Sequence, residues 1–271
     1  MPLDRPISSA HLPGCKYHTL EHGRIHLQDR GTGPNLLCLH GMGTSHYSWR
    51  YNTPFFEKNF RVIAPDLPGY GFSETGSEFG YHIDDYVQII LELLKELGVK
   101  RTHLIAHSFG GAIAERLIRF QPDIIDRVVL VGAADLEQPT LDHNPEMSKN
   151  PLLNSYYDKS VIDFPLIQLS KLFNKNGRTL ETSRKVSKVN HSGIKRNGAP
   201  SLANPVLIIW GRNDLIIPLD RSNRLLNHWK NQDMVVLDGA GHACHEEKPT
   251  VFNRLVEGFL SEQTDPANPV Q

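Results

Sequence analysis

Cysteine is scarce in this chain: Cys15, Cys38 and Cys244 are the only three in 271 residues. An odd number without Cys-x-x-Cys spacing implies neither a disulfide framework nor a zinc site, and a reducing cytoplasm is the expected compartment. Excess charge is lacking as well. A formal net charge of -1 supplies no field to draw the chain to nucleic acid or to an anionic membrane. No apolar run approaches the roughly 18 residues that a membrane span needs. The segment Met1 to Pro6 has neither a basic nor an apolar signal region. Nor is there a glycine-rich phosphate loop, since Gly69-Tyr70-Gly71 lacks the third glycine and the helix start of a dinucleotide site. What is left, at 39% apolar and 22% charged residues, is an ordinary globular composition, long enough for one large domain with an inserted piece.

Short apolar runs punctuate the chain at Asn35–Leu39, Arg61–Pro65, Arg101–Ile105, Arg127–Gly132, Pro205–Trp210 and Met234–Leu237. Continuous runs of this length mark strands covered on both faces. Helical spacing lies between them, around Trp49–Phe56, Tyr86–Leu97 (stopped by Gly98), Ala112–Ile118, Arg221–Trp229 and Pro249–Leu260. Strand and helix in alternation predict a parallel sheet with helices on both faces. Ahead of it, Lys16–Leu20 and Arg24–Gln28 alternate in polarity around Glu21-His22-Gly23, the pattern of a hairpin with one wet face. His18, His22 and His26 belong to that hairpin and are expected to be exposed, since strands on either side of a glycine turn would not bring them onto one metal.

The alternation stops from about Asp135 to Ala203, where Pro139, Pro145, Pro151 and Pro165 and a helix-like Ile167–Phe173 replace it. The chain therefore divides into a core of residues 1–134 and 204–271 and an insertion of residues 135–203. Within the core, residues 1–13 are a loosely held arm and 264–271 a frayed tail. The second half of the insertion sets Lys171, Lys175, Arg178, Arg184, Lys185, Lys188, Lys195 and Arg196 against one acid, Glu181. A solvated face is the favoured reading. The alternative is a dock for an anionic substrate, coenzyme A or an acyl carrier protein.

Chemistry concentrates at strand ends. In Ala106-His107-Ser108-Phe109-Gly110, a serine between small residues joins a strand to a helix, the pattern of a nucleophile elbow with alanine at its first small position. Its hydroxyl needs a base, and the base needs an orienting acid. Asp214 follows one late strand and His242 the next, so a parallel sheet would bring both to the edge that carries Ser108. The order Ser108, Asp214, His242 suits this type of sheet. Backbone N–H groups of Phe109, at a helix start, and of Met42, between Gly41 and Gly43, are the expected oxyanion donors. Asp135 is an alternative acid, Asp66 a pin for the loop after its strand, and His107 and His245 supports beside catalytic positions. Cys244 is expected to be a packing residue.

Together, His40-Gly41, Asp66-x-x-Gly69-x-Gly71-x-Ser73, the Ala106–Gly111 elbow, Trp210-Gly211-x-x-Asp214-x-x-x-Pro218 and Gly241-His242 with Glu247-x-Pro249 resemble the α/β-hydrolase superfamily. The resemblance covers all but the arm, the insertion and the tail. It implies a mostly parallel eight-stranded sheet with a helical cap inserted after the sixth strand. The stretch Thr44–Arg50 is similar to haloalkane dehalogenases and epoxide hydrolases, but those use an aspartate where this chain has Ser108. The Ser-Phe-Gly-Gly form resembles the meta-cleavage product hydrolases, which cut carbon–carbon bonds with a serine.

The expected activity is hydrolysis of a carboxylic ester through an acyl-enzyme, without cofactor or metal. Trp49, Phe164 and Leu172 should help to line an apolar acyl pocket. The alternatives are a thioesterase on coenzyme A or carrier-bound acyl groups, a meta-cleavage type carbon–carbon hydrolase, and a hydrolase-shaped receptor without turnover.

Overall fold

The computed structural model describes residues 14–137, 151–190 and 202–262; the expected arm and tail, and Lys195 and Arg196, lie outside them. Its strands are β1 Cys15–Leu20, β2 Gly23–Arg30, β3 Asn35–Leu39, β4 Arg61–Pro65, β5 Thr102–His107, β6 Ile125–Val131, β7 Val206–Gly211 and β8 Gln232–Leu237. They form one eight-stranded sheet in the order β1-β2-β4-β3-β5-β6-β7-β8. The pairs β1/β2 and β2/β4 are antiparallel, and every other pair is parallel.

The apolar runs become central strands because both of their faces are covered. Successive side chains on a strand point to opposite faces, and here they feed two core layers. Leu104 and Ala106 of β5, Val128 and Leu130 of β6, and Ile208 and Trp210 of β7 pack in one layer, with helices Ile83–Glu96 and Phe109–Phe120. Ile105, Val129, Val131, Leu207 and Ile209 pack in the other, with Trp49, Phe56 and helix Pro249–Ser261.

Two local expectations are corrected. His26 is fully buried, not exposed, because Tyr17, His46 and Phe72 each bring a ring to within 5.0 Å of its own. The helix expected over Trp49–Phe56 is split into a 3-10 turn, His46–Trp49, and a single α-turn, Thr53–Phe56. Pro54 lacks an amide to extend a helix back through it and is tolerated in a first turn, so the helix starts afresh around it.

Between β6 and β7, described residues 151–190 hold helices Pro151–Asn154, Phe164–Asn174 and Arg178–Asn190 and no strand. This helical cap grips the core on two sides. On one, Thr182 Oγ1 donates to Gly69 O (3.2 Å), Arg178 to Gly71 O, and Asn190 Nδ2 to Tyr81 O (2.8 Å). On the other, Arg50 donates from Nε to Asp163 (2.7 Å) and pairs with Glu246, which also accepts from Tyr156 (2.8 Å).

Candidate active site

The carboxyl ends of β3, β4 and β5 lead directly into His40-Gly41, Asp66 and Ser108, and the loops after β7 and β8 carry Asp214 and His242. In an open parallel sheet this edge is where loops from neighbouring strands converge.

Ser108 stands between β5 and helix Phe109–Phe120 with φ 53° and ψ -123°. Left-handed φ is costly for a residue with a Cβ, and three backbone bonds hold it there. Its N–H donates to Val131 O (3.0 Å), and its carbonyl accepts from Gly111 (2.8 Å) and Ala134 (2.9 Å). The turn also needs a small residue two places on, since a Cβ on Gly110 would lie 2.8 Å from Leu39 O and 2.9 Å from His40 O.

Asp214 and His242 form a buried pair. His242 Nδ1 lies 2.8 Å from Asp214 Oδ2. The other oxygen, Oδ1, accepts from the amides of Ile216 and Ile217, both at 2.8 Å. A carboxylate only accepts, so it fixes the proton on Nδ1 and leaves Nε2 as the basic nitrogen.

Ser108 reaches this pair through its neighbours. It bonds Val131, and a Cβ on the next residue, Gly132, would lie 3.2 Å from both Asp214 Oδ2 and His242 Nδ1. The adjoining His107 has its ring 4.6 Å from that of His242 and donates from Nε2 to His242 O (3.1 Å). Burial, with His242 nearby, holds His107 well below the usual histidine range, so it is a neutral prop. No hydrogen bond joins Ser108 Oγ to His242 in this structure.

The Met42 loop closes over the elbow: a Cβ on Gly41 would lie 2.9 Å from Ser108 Cβ. His40 sets that loop. Its Nε2 accepts from Leu67 N (2.8 Å), so Nδ1 carries the hydrogen and donates to Gly41 O (2.7 Å). Burial lowers the His40 pKa to about 4, which keeps this ring neutral. The amide of Phe109 is at the first position of its helix, where N–H groups have no intrahelical partner.

Other expected residues fall in different places. Asp135 is buried but turns its Oδ1 to the amide of Glu137 (2.8 Å), and Asp214 is the acid on His242. Trp49, expected in the acyl pocket, lies in the core. Its indole is fully buried in a core layer, 4.5 Å from the His245 ring. Phe164 (49% exposed) and Leu172 (40%) stand on the cap helix that buries Leu169 and Phe173. In the basic half of the insertion, Arg178 is committed to Gly71 O, and Lys185 pairs with Glu181 and lies over the Tyr81 ring.

Glu247 is the residue that sequence reasoning passed over. Its Oε1 accepts from Gly241 N (2.6 Å), next to His242, while Oε2 accepts from Asp158 N (2.7 Å) in the cap. The only signal for it was its place in the Glu247-x-Pro249 motif.

The sequence profile of the alpha/beta hydrolase fold matches residues 34–196 and 156–249. The chain belongs to the α/β-hydrolase family, and it is a hydrolase. Among its relatives, a 2-hydroxy-6-oxononadienedioate/2-hydroxy-6-oxononatrienedioate hydrolase of Burkholderia vietnamiensis is 31% identical over 262 residues, 88% of this chain and 91% of that one. The uncharacterized hydrolase YugF of Bacillus subtilis is 27% identical, over 87% and 92% of the two chains. Among solved structures, the meta-cleavage product hydrolase CumD of Pseudomonas fluorescens IP01 superimposes with a TM-score of 0.79. It is 26% identical, and the match covers 90% of this chain and 97% of that one. No helix among the described residues is long and apolar enough to cross a membrane.

Proposed function

We propose that this chain is a serine hydrolase that cleaves the carbon–carbon bond beside a ketone in a 2-hydroxy-6-oxo-dienoic acid, through an acyl-enzyme on Ser108. The observation that carries the reading is the buried Asp214–His242 pair, one residue's reach from a strained serine elbow. Relatives named for hydrolysis of such acids support this substrate over the carboxylic ester expected first.

Carbon is a poor leaving atom, so the substrate must first become its keto tautomer. A proton leaves the enol oxygen and is placed on the carbon that will depart. Ser108 Oγ then attacks the ketone carbon while His242 Nε2 takes the hydroxyl proton, and Asp214 stabilises the imidazolium. The oxyanion is held by the amides of Met42 and Phe109, and loss of one such donor costs about 10²–10³ in kcat. When the intermediate collapses, the electron pair of the broken bond passes along the conjugated chain to the distal keto oxygen, giving a dienolate. His242 gives its proton to the dienolate, is neutral again, and takes a proton from the water that attacks the acyl carbon; that proton returns to Ser108 Oγ as the acyl group leaves as a carboxylic acid. One water is consumed and no electron is lost. Contacts between a nucleophile and its base often tighten only when substrate is bound.

Esters, and thioesters on coenzyme A or a carrier protein, can use the same Ser108 acyl-enzyme, so the test compares all three bond types by kcat/KM. The diketo acid is expected to lead. A leading ester or thioester would overturn the substrate and leave the serine site intact. If a fluorophosphonate probe failed to label Ser108, the site itself would fall, and labelling without repeated turnover would favour the receptor reading.

A further inference from the structure

A second set of chemistry-bearing side chains lies away from Ser108, where the β1–β2 hairpin meets the turn that contains His46. At its centre is the fully buried Asp66. Its Oδ1 accepts from His46 N (2.7 Å) and His46 Nδ1 (2.8 Å), and its Oδ2 from His26 Nδ1 (2.9 Å) and Phe72 N (2.9 Å). Four donors fill the acceptor positions of one carboxylate. Asp66 therefore does more than pin a loop by backbone amides: it fixes two imidazoles, both with the hydrogen on Nδ1.

That choice turns both Nε2 atoms away from Asp66. His26 Nε2 is buried and makes no hydrogen bond of full geometry, its neighbour being the Cys15 thiol. His46 Nε2 lies 3.6 Å from Cys15 Sγ, and the thiol neighbours both rings. A buried ring nitrogen without a partner is rare in native proteins, and an ion is one of the usual reasons for it. The Cys15–His46 spacing fits one. Zinc–sulfur and zinc–nitrogen bonds of about 2.3 and 2.0–2.1 Å, set at a tetrahedral angle, place the two ligand atoms about 3.6 Å apart. A carboxylate on the far nitrogen of each ligating imidazole is the usual outer-shell support of such sites.

We propose that Cys15 Sγ, His26 Nε2 and His46 Nε2 bind one zinc-class divalent cation, with Asp66 orienting both rings and the fourth position left to water. Two imidazoles and a thiolate select zinc or cobalt over magnesium or calcium. Asp66 itself is not a ligand, because its oxygens are already taken. The half-buried Cys15 leaves a way in from solvent. A thiolate and neutral imidazoles are the forms that bind, so uptake must release protons and weaken in acid. The cation would tie Cys15 on β1 and His26 on β2 to the turn containing His46. It takes no part in the chemistry at Ser108. The histidines that share a hairpin in the sequence, His18 and His22, do not belong to the set.

The test is titration of the chelator-stripped full chain with cobalt(II). One equivalent should produce a thiolate-to-cobalt charge-transfer band together with the strong visible bands of tetrahedral cobalt, and zinc should abolish both. Cys15→Ser should remove the charge-transfer band, whereas Cys244→Ser should leave it intact. His26→Gln should weaken uptake by more than the about 10–100-fold that loss of an outer-shell partner costs. Zinc should also raise Tm in the parent and not in Cys15→Ser, with far-ultraviolet circular dichroism confirming that each variant is folded. Absence of the charge-transfer band, its persistence in Cys15→Ser, or only the weak bands of octahedral cobalt would overturn the proposal.

Discussion

Asp214 has two tasks, one for each oxygen: Oδ2 holds His242, and Oδ1 ties down the chain at Ile216 and Ile217. In Asp214→Asn the single carbonyl oxygen can serve only one of them, and the amide group leaves the wrong tautomer on His242. A fall in kcat of about 10⁴ is expected, with the circular dichroism spectrum unchanged. Buried neutral histidines set a different property. Burial lowers the pKa of His40 to about 4 and that of His245 to about 3, and holds His107 well below its ordinary value. An unfolded histidine titrates near 6.5, so as pH falls the unfolded chain takes up these protons first. The stability conferred by the neutral rings is complete above about pH 6.5 and drains away as pH approaches their folded values, at about 1.4 kcal/mol per pH unit for each ring. His245 has no hydrogen bond on either ring nitrogen. In His245→Leu the slope of unfolding free energy against pH, measured by urea titration between about pH 6.5 and 4, should therefore be one proton shallower.

Among the elements, strands covered on both faces were the most legible, because each of β3 to β7 carries at least three apolar residues in a row. The elbow was legible for a similar reason. Gly110 fits where no Cβ could, and such a steric demand leaves its mark on the sequence. Elements whose burial depends on distant partners were harder to read. His26 looked exposed because its companions Tyr17, His46 and Phe72 come from three different segments. The packing of Trp49 was hidden too, because an indole beside an oxyanion loop gives no sign that it will meet the His245 ring. The loop after β8 shows the same dependence, since Glu247 braces it from six residues beyond Gly241. In Glu247→Gln one of the two amides, Gly241 or Asp158, loses its acceptor. The variant should lose about 1–3 kcal/mol in chemical denaturation and should also lose kcat, because the loop positions His242.

At the scale of the whole molecule, the order of strands explains why residues so far apart in sequence could be assembled on paper. Parallel strands that all end at one edge turn the problem of the site into one of finding polar residues just past apolar runs. The cap obeys no such rule, since its described residues carry no strand between β6 and β7. A last consequence concerns what the molecule gives up for its serine. Domains are held together by a net of only about 5–15 kcal/mol, and the left-handed backbone at Ser108 draws on that margin by about 1–3 kcal/mol. Glycine at this position would release the strain at the cost of about 0.5–1 kcal/mol for its looser unfolded chain. Ser108→Gly should therefore be inactive yet harder to unfold than the parent in a urea titration.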